Sequence, residues 1–240
     1  MTTIFISDLH LDKDRPKVIR YFIDFLDNLE SDIESLYILG DFVEYWVGDD
    51  DPGEGLEEVF SSIKKKSNNI PIYFMHGNRD FMISEKFCNH HGMKFLKDPT
   101  KIKLHGKKIL LMHGDTLCID DIEYQKFRTM VRSPLWQNEM LKKSLEERIN
   151  LAKMLRAKSL SETGTKDEVI MDVNNDEVIS QLKKHNVDMI IHGHTHRPNI
   201  HKIISENKEC KRIVLGDWYD KSFILRISDD EIIIDKSNLS

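Results

Sequence analysis

The chain has 240 residues, a formal charge of −6, 40% hydrophobic and 32% charged residues, enough for one α/β domain of soluble composition that carries an insertion. The acidic balance argues against a general nucleic-acid binder, and no apolar run reaches the ~18–20 residues that span a bilayer. Three cysteines, Cys88, Cys118 and Cys210, have neither zinc-finger nor redox spacing and read as buried thiols in a reducing compartment.

The chain opens in a strand-like run, "TIFIS" (3–7), with no basic leader before it, so the expected location is the cytoplasm. A helix follows over 16–30, with Pro16 in its first turn and Val18, Phe22, Phe25, Leu26 and Leu29 on one face. "SLYILG" (35–40) reads as the next strand, a helix runs from about Glu54 to Lys66, and "IPIYFMHG" (70–77) and "KKILLMHG" (107–114) are strands. After a helix at about Asp176–His185 come "DMIIHGH" (188–194), "RIVLGD" (212–217), "SFILRI" and "EIIID". These nearly continuous apolar runs fit strands buried on both faces. The β-α-β-α-β rhythm predicts a layered α/β sandwich, mixed sheets flanked by helices.

One region breaks the rhythm. From about 122 to 172 the sequence is helix-like throughout, and between Lys126 and Lys158 nine Lys/Arg face three Glu. An amphipathic helical pair with a solvated basic face is the plain expectation. A helical cap, apolar beneath and basic outside, is the sharper one; Leu141, Leu145, Ile149, Leu155, Trp136, Met140 and Met154 would supply its apolar side.

Polar clusters fall where strands end: Asp8 and His10, Asp41, Asn78, His113, then His192, His194 and His196. Ligands of α/β sheets collect at the carboxyl ends of strands, so these clusters can converge. They offer more donors than one ion needs. Two ions about 3.5–4 Å apart would use them, an arrangement suited to phosphate esters, and a carboxylate such as Asp41 can bridge both. The imidazole, carboxylate and amide donors suit Mn²⁺, Fe²⁺ or Zn²⁺. In "MHGNRDF" (75–81) a cation, Arg79, stands beside this set. Arginine cannot act as a practical acid at neutral pH, but its planar fork grips phosphate oxygens. A leaving group that needs no proton, such as a phosphate departing from a P–O–P bond, fits best. The alternative is a structural pairing of Arg79 with Asp80.

The series "DLH", "GDF", "HGNRD", "MHGD" and "HGHTH" resembles the calcineurin-like metallophosphoesterase superfamily. The resemblance implies one ion on Asp8, His10, Asp41 and His196 and a second on Asp41, Asn78, His113 and His194. His192, Asp80 and Asp115 would then orient ligands or pack. The superfamily carries a histidine where this chain has Arg79. With that variant, "YILGDFVEYWVGDDD", "MHGDTLCIDD", "IMDVN", "HGHTHRP" and "LGDW" closely resemble the UDP-2,3-diacylglucosamine pyrophosphatase family of lipid A biosynthesis.

That resemblance implies an Mn²⁺-activated attack of water on the α-phosphorus of the UDP-sugar lipid, giving UMP and 2,3-diacylglucosamine 1-phosphate. Asp41, Asn78, Arg79 and His113 would carry catalysis. Asn78, Arg79, Asp121, Ser159, Thr163, Lys166 and His194 would touch the substrate. The 122–172 segment would be a cap sheltering the acyl chains, its basic face meeting the cytoplasmic side of an anionic inner membrane. No nucleic-acid partner is expected. The competing readings are another metallophosphoesterase, such as a nucleotide pyrophosphatase or a nuclease, and a non-catalytic scaffold. A nuclease wants a basic groove, a nucleotide enzyme needs no cap, and a scaffold tends to lose ligands that are all present here.

Overall fold

The computed structural model describes residues 1–163 and 172–239, without the side chains of 160–163. In chain order the elements begin β1 (Thr2–Ile6), α1 (Pro16–Asp27), β2 (Ile33–Leu39), α2 (Glu57–Lys66), β3 (Ile72–Met75), α3 (Glu85–His90) and β4 (Met93–Leu96). There follow β5 (Thr100–Leu104), β6 (Lys107–Leu111), a 3-10 turn (Asp115–Leu117), α4 (Ile122–Val131), α5 (Pro134–Leu141) and α6 (Leu145–Thr163). The chain finishes with α7 (Asn175–His185), β7 (Met189–His192), β8 (Asn199–Ser205), β9 (Lys208–Val214), β10 (Lys221–Ile227) and β11 (Ile232–Asn238).

Two mixed sheets stack face to face. One has the order β11-β10-β1-β2-β3-β4, parallel from β1 to β4; the other has the order β5-β6-β7-β9-β8, parallel through β6, β7 and β9. Successive side chains of a strand point to opposite faces, and here both faces are covered. In β1, Ile4 and Ile6 pack toward α1 and α2 while Phe5 enters the layer between the sheets. In β6 and β7, Ile109, Leu111, Met189 and Ile191 enter that same layer, and Leu110 and Ile190 face α7 through Val178 and Leu182. The result is the expected α/β/β/α sandwich. The three cysteines are buried and unbridged.

Three strands were not foreseen, β4, β5 and β8, and each lies at an edge of its sheet. An edge strand is wet on one side, so "TKIKL" and "NIHKIIS" alternate with lysine or histidine instead of running apolar. The helix α3 was also not foreseen; Ser84 caps it by accepting from Phe87 N. Among the described residues of the 122–172 region there are three helices, α4, α5 and α6, where a pair was expected. Its apolar residues are not all tucked beneath: Leu135, Met154 and Ile122 are exposed, whereas Met140 is buried. Arg148 of α6 is instead the deeply buried side chain, donating to Val47 O at 2.6 Å and pairing with Asp50.

Candidate metal centre

The loops after β1, β2, β3, β6 and β7 bring the polar clusters together at one end of the sandwich. Their backbone is unusual. Asp8, His10, Asp41, His194 and His196 all have positive φ, between 50° and 68°, a region that costs a non-glycine residue roughly 1–3 kcal/mol. All five are aspartate or histidine, the side chains that with asparagine are enriched there among non-glycine residues. Strain concentrated in these five positions marks the loops as shaped for aiming side chains.

The aim is convergent. Asp8, His10 and His196 place ligand atoms within 4.8 Å of one another, and so do Asp8, Asp41 and His113. Asp41 divides its carboxylate: Oδ2 lies 3.8 Å from His10 Nε2 and Oδ1 lies 3.7 Å from His113 Nε2. Asn78 Oδ1 is 3.0 Å from His113 Nε2 and 2.9 Å from His194 Nδ1. Asp8 Oδ1 is 3.4 Å from His196 Nε2. All seven residues nominated as ligands therefore meet here; the two carboxylate–imidazole groups share Asp8, and Asp41 reaches toward His10 with one oxygen and His113 with the other.

The far nitrogens of three imidazoles are held from behind. His10 Nδ1 lies 3.0 Å from Glu44 Oε2, His196 Nδ1 lies 2.9 Å from Asp217 Oδ2, and His113 Nδ1–H donates to Leu39 O at 2.9 Å. Fixing one nitrogen as donor leaves the other as a lone pair aimed into the centre, the usual device for metal-bound histidine. His10 Nε2 and His196 Nε2 face each other at 3.4 Å, a contact that a proton on one ring or a cation between the two satisfies. Burial pushes His196 toward neutrality, yet the Asp217 and Asp8 carboxylates prevail and raise its pKa to about 10. Burial likewise opposes charge on Asp8, but the hydrogen bond and charge of His196 keep its carboxyl well below the usual range. The donors present, imidazole and carboxylate with one amide, fit divalent transition ions.

Glu44 and Asp217 were missed by sequence reasoning. Both sit in quoted motifs, "GDFVE" and "LGDW", but nothing in those motifs pairs them with a histidine from a distant loop. We expect Glu44→Gln to weaken Mn²⁺ binding about 10- to 100-fold while the circular dichroism spectrum is unchanged. A metal titration of the purified variant measures it, and wild-type affinity would remove Glu44 from the centre.

The remaining nominated residues have clear placements. Asp80 is fully buried and clamps the loops: Oδ1 accepts from Gly77 N and Oδ2 from Phe42 N, each at 2.7 Å. Burial and the nearby Asp41 charge push its carboxyl pKa up. It is thus fully used by backbone, and Arg79 does not pair with it. The Arg79 backbone N–H donates to Asp41 Oδ1 at 2.9 Å; its side-chain Nε lies 3.9 Å from Asp41 Oδ2 and has no hydrogen-bond partner among the described residues. Close approach explains two glycines: a Cβ at Gly77 would overlap Asp41, and one at Gly193 would overlap Asp8.

Asp115 Oδ2 accepts from Tyr124 Oη at 2.8 Å and Arg128 Nε at 2.6 Å, tying α4 to the loop of His113. His192 is fully buried against Gly193 O, and burial lowers its pKa to about 3. Asp121 caps α4 by accepting from Tyr124 N at 3.1 Å. Ser159 lies on the half-buried side of α6. The Thr163 side chain and Lys166 lie outside the described residues.

Three comparisons bear on this geometry. The model of the calcineurin-like phosphoesterase family matches residues 1–198. A UDP-2,3-diacylglucosamine hydrolase of Marinobacter nauticus is 45% identical over 232 residues, 96% of this chain and 95% of that protein. One from Escherichia coli O7:K1 is 41% identical, covering 97% of each. Among solved structures, an archaeal phosphodiesterase matches 99% of both chains with a TM-score of 0.51 at 15% identity, a likeness of fold. With its two sheets, its loops and its ligand set in place, the chain belongs to the calcineurin-like phosphoesterase family, beside the UDP-2,3-diacylglucosamine hydrolases.

Proposed function

We propose that this protein hydrolyses the pyrophosphate bond of UDP-2,3-diacylglucosamine, releasing UMP and 2,3-diacylglucosamine 1-phosphate, with two Mn²⁺ ions as its working cofactor. The observation that carries the reading is the divided carboxylate of Asp41 with Arg79 beside it, within relatives that share this substrate name over nearly the whole chain. Asp8, His10, Asp41 and His196 would hold one ion, and Asp41, Asn78, His113 and His194 the other. Two ions so held supply Lewis acidity, polarising phosphoryl oxygens and lowering the pKa of water.

The chain's own residues do the positioning. Arg79, with its Nε free of protein acceptors, points its charge where phosphate oxygens collect. Asn78 and His194 lie against the same group, and negative charge that develops there meets donors already in place. No protein acid is needed, because the departing group is itself a phosphate that leaves as an anion. Helices α4, α5 and α6 form the cap. Its closeness to the centre supports this: Arg132 donates to Gly77 O at 2.7 Å, and Arg156 Nε meets Glu44 Oε1 at 2.6 Å. Ser159, Thr163, Lys166 and Asp121 are its proposed contacts with the glycolipid.

Among the described residues no helix is long and apolar enough to cross a membrane. Exposed Ile122, Met130, Leu135, Leu141 and Met154 share these helices with basic side chains, which supports docking on an anionic lipid surface at the cytoplasmic face of the inner membrane.

The test supplies UDP-2,3-diacylglucosamine to chelator-treated protein with and without Mn²⁺. UMP and the diacylglucosamine phosphate should appear only with metal; UDP and free glycolipid would mean a different bond is cut. Chelation should also lower the melting temperature, because buried Asp8 and Asp41 then lack their counter-ions. Adding back Mn²⁺ to 100 times its Kd should restore about 2.7 kcal/mol for each ion bound. A melting curve indifferent to metal would count against a preformed centre.

A further inference from the structure

Beside the metal centre a separate cavity of about 370 Å³ opens among Asp172, Thr195, Arg197, Asn199, His201 and Arg212. Its floor is Arg212 on β9, whose side chain is only 8% exposed. Arg212 Nε and Nη1 have no hydrogen-bond partner among the described residues, and neither has Thr195 Oγ1. The nearest carboxylate oxygen, Asp172 Oδ1, is 3.9 Å from Nη1, beyond hydrogen-bond reach. That carboxylate is already engaged: Oδ2 accepts from Arg197 Nη1 at 2.9 Å and Oδ1 accepts from Val173 N at 2.7 Å. Two buried guanidinium nitrogens without acceptors are expensive, and buried donors are rarely left so. Among the residues lining the cavity, Arg197 and Arg212 are cationic and Asp172 is anionic. What the cavity lacks is a further anionic acceptor.

We propose that this cavity is a second, metal-independent site for a small oxyanion of the phosphate class, held by Arg212 and Arg197 with Thr195 Oγ1 as a further donor. A guanidinium fork suits phosphate oxygens in number and geometry, and the volume accommodates a phosphorylated small molecule as well as bare phosphate. Thr195 stands between His194 and His196, so an occupant touches the loop that bears two histidines of the metal centre. The inference stands on Arg212 and its cavity and does not depend on the reaction proposed above.

Isothermal titration of inorganic phosphate into the Mn²⁺-loaded protein tests it, alongside Arg197→Gln and Arg212→Gln. Arg197 is 44% exposed, so its variant should fold even if the buried Arg212 variant does not. The expected result is a phosphate-binding event weakened at least about tenfold in Arg197→Gln, with phosphate-soaked crystals placing the anion on Arg212. Identical titrations of wild type and Arg197→Gln, or crystals with only water beside Arg212, would overturn the site. Repeating the titration with UMP in both proteins separates the sources: a binding component weakened in Arg197→Gln and at least about tenfold tighter than that of phosphate assigns the cavity to a nucleotide, and an Arg197-dependent component that is equal, weaker or absent assigns it to free phosphate.

Discussion

Replacing Asp41 with alanine should lower turnover at least about a thousandfold and leave fewer than two Mn²⁺ ions bound per chain. The expectation follows from the geometry of one carboxylate serving two groups. Its oxygens face His10 and His113 separately, so under the proposed two-ion assignment its loss would strip a ligand from both ions at once and remove the link that fixes their spacing. Losing an outer partner such as Glu44 costs about 10- to 100-fold; losing the shared ligand must cost more. Fold should survive. Asp41 lies close to the buried carboxylates Asp8 and Asp80, so removing its charge relieves repulsion in the metal-free state. Metal content by atomic emission, turnover, and melting of the chelated protein together check this. Two ions bound to Asp41→Ala would end the bridging assignment.

Arg79→Lys should behave almost as badly as Arg79→Ala, each losing about 10²–10³-fold in kcat, the range seen when one preorganised donor to developing charge is removed. Lysine keeps the charge but not the planar fork. The side chain is largely buried, 17% exposed, with Nε 3.9 Å from Asp41 Oδ2 and without a hydrogen-bond partner among the described residues, so it stands beside the centre with a donor unused. A structural arginine would give a different pattern: lowered melting temperature in both variants, with kcat of the surviving protein near normal. Activity retained in Arg79→Lys would show that charge alone suffices, and the argument from bidentate grip to a P–O–P substrate would fall with it.

The convergence of the nominated residues could be read from the sequence because a two-sided sheet writes its strands as apolar runs, and chemistry-bearing residues stand out where those runs stop. Asp8, Asp41, Asn78 and His113 needed no more than that. Edge strands escaped for the converse reason: β5 and β8 are half wet, and their lysines and histidines look like loop. The support behind the ligands escaped for a different reason. That Glu44 backs His10, that Asp217 backs His196, and that Asp80 clamps two loops through backbone N–H groups are facts of distance between segments far apart in sequence. The positive φ of five candidate ligand positions is harder to read, since aspartate and histidine are enriched in the left-handed region but do not require it. The cap was seen as helical from its missing strands, but its anchoring through Arg128, Arg132, Arg148 and Arg156 was read only as a basic face.

The most direct measurement is hydrolysis of UDP-2,3-diacylglucosamine by the Mn²⁺-loaded protein in H₂¹⁸O, with both products weighed by mass spectrometry. Attack on the α-phosphorus puts the label in UMP and leaves the diacylglucosamine phosphate unlabelled, and that is the expected result. Label in the diacylglucosamine phosphate would mean that Arg79 and the Asp41-bridged centre address the other phosphorus. No turnover of this substrate, with simple phosphodiesters still cleaved, would contradict the account at its root.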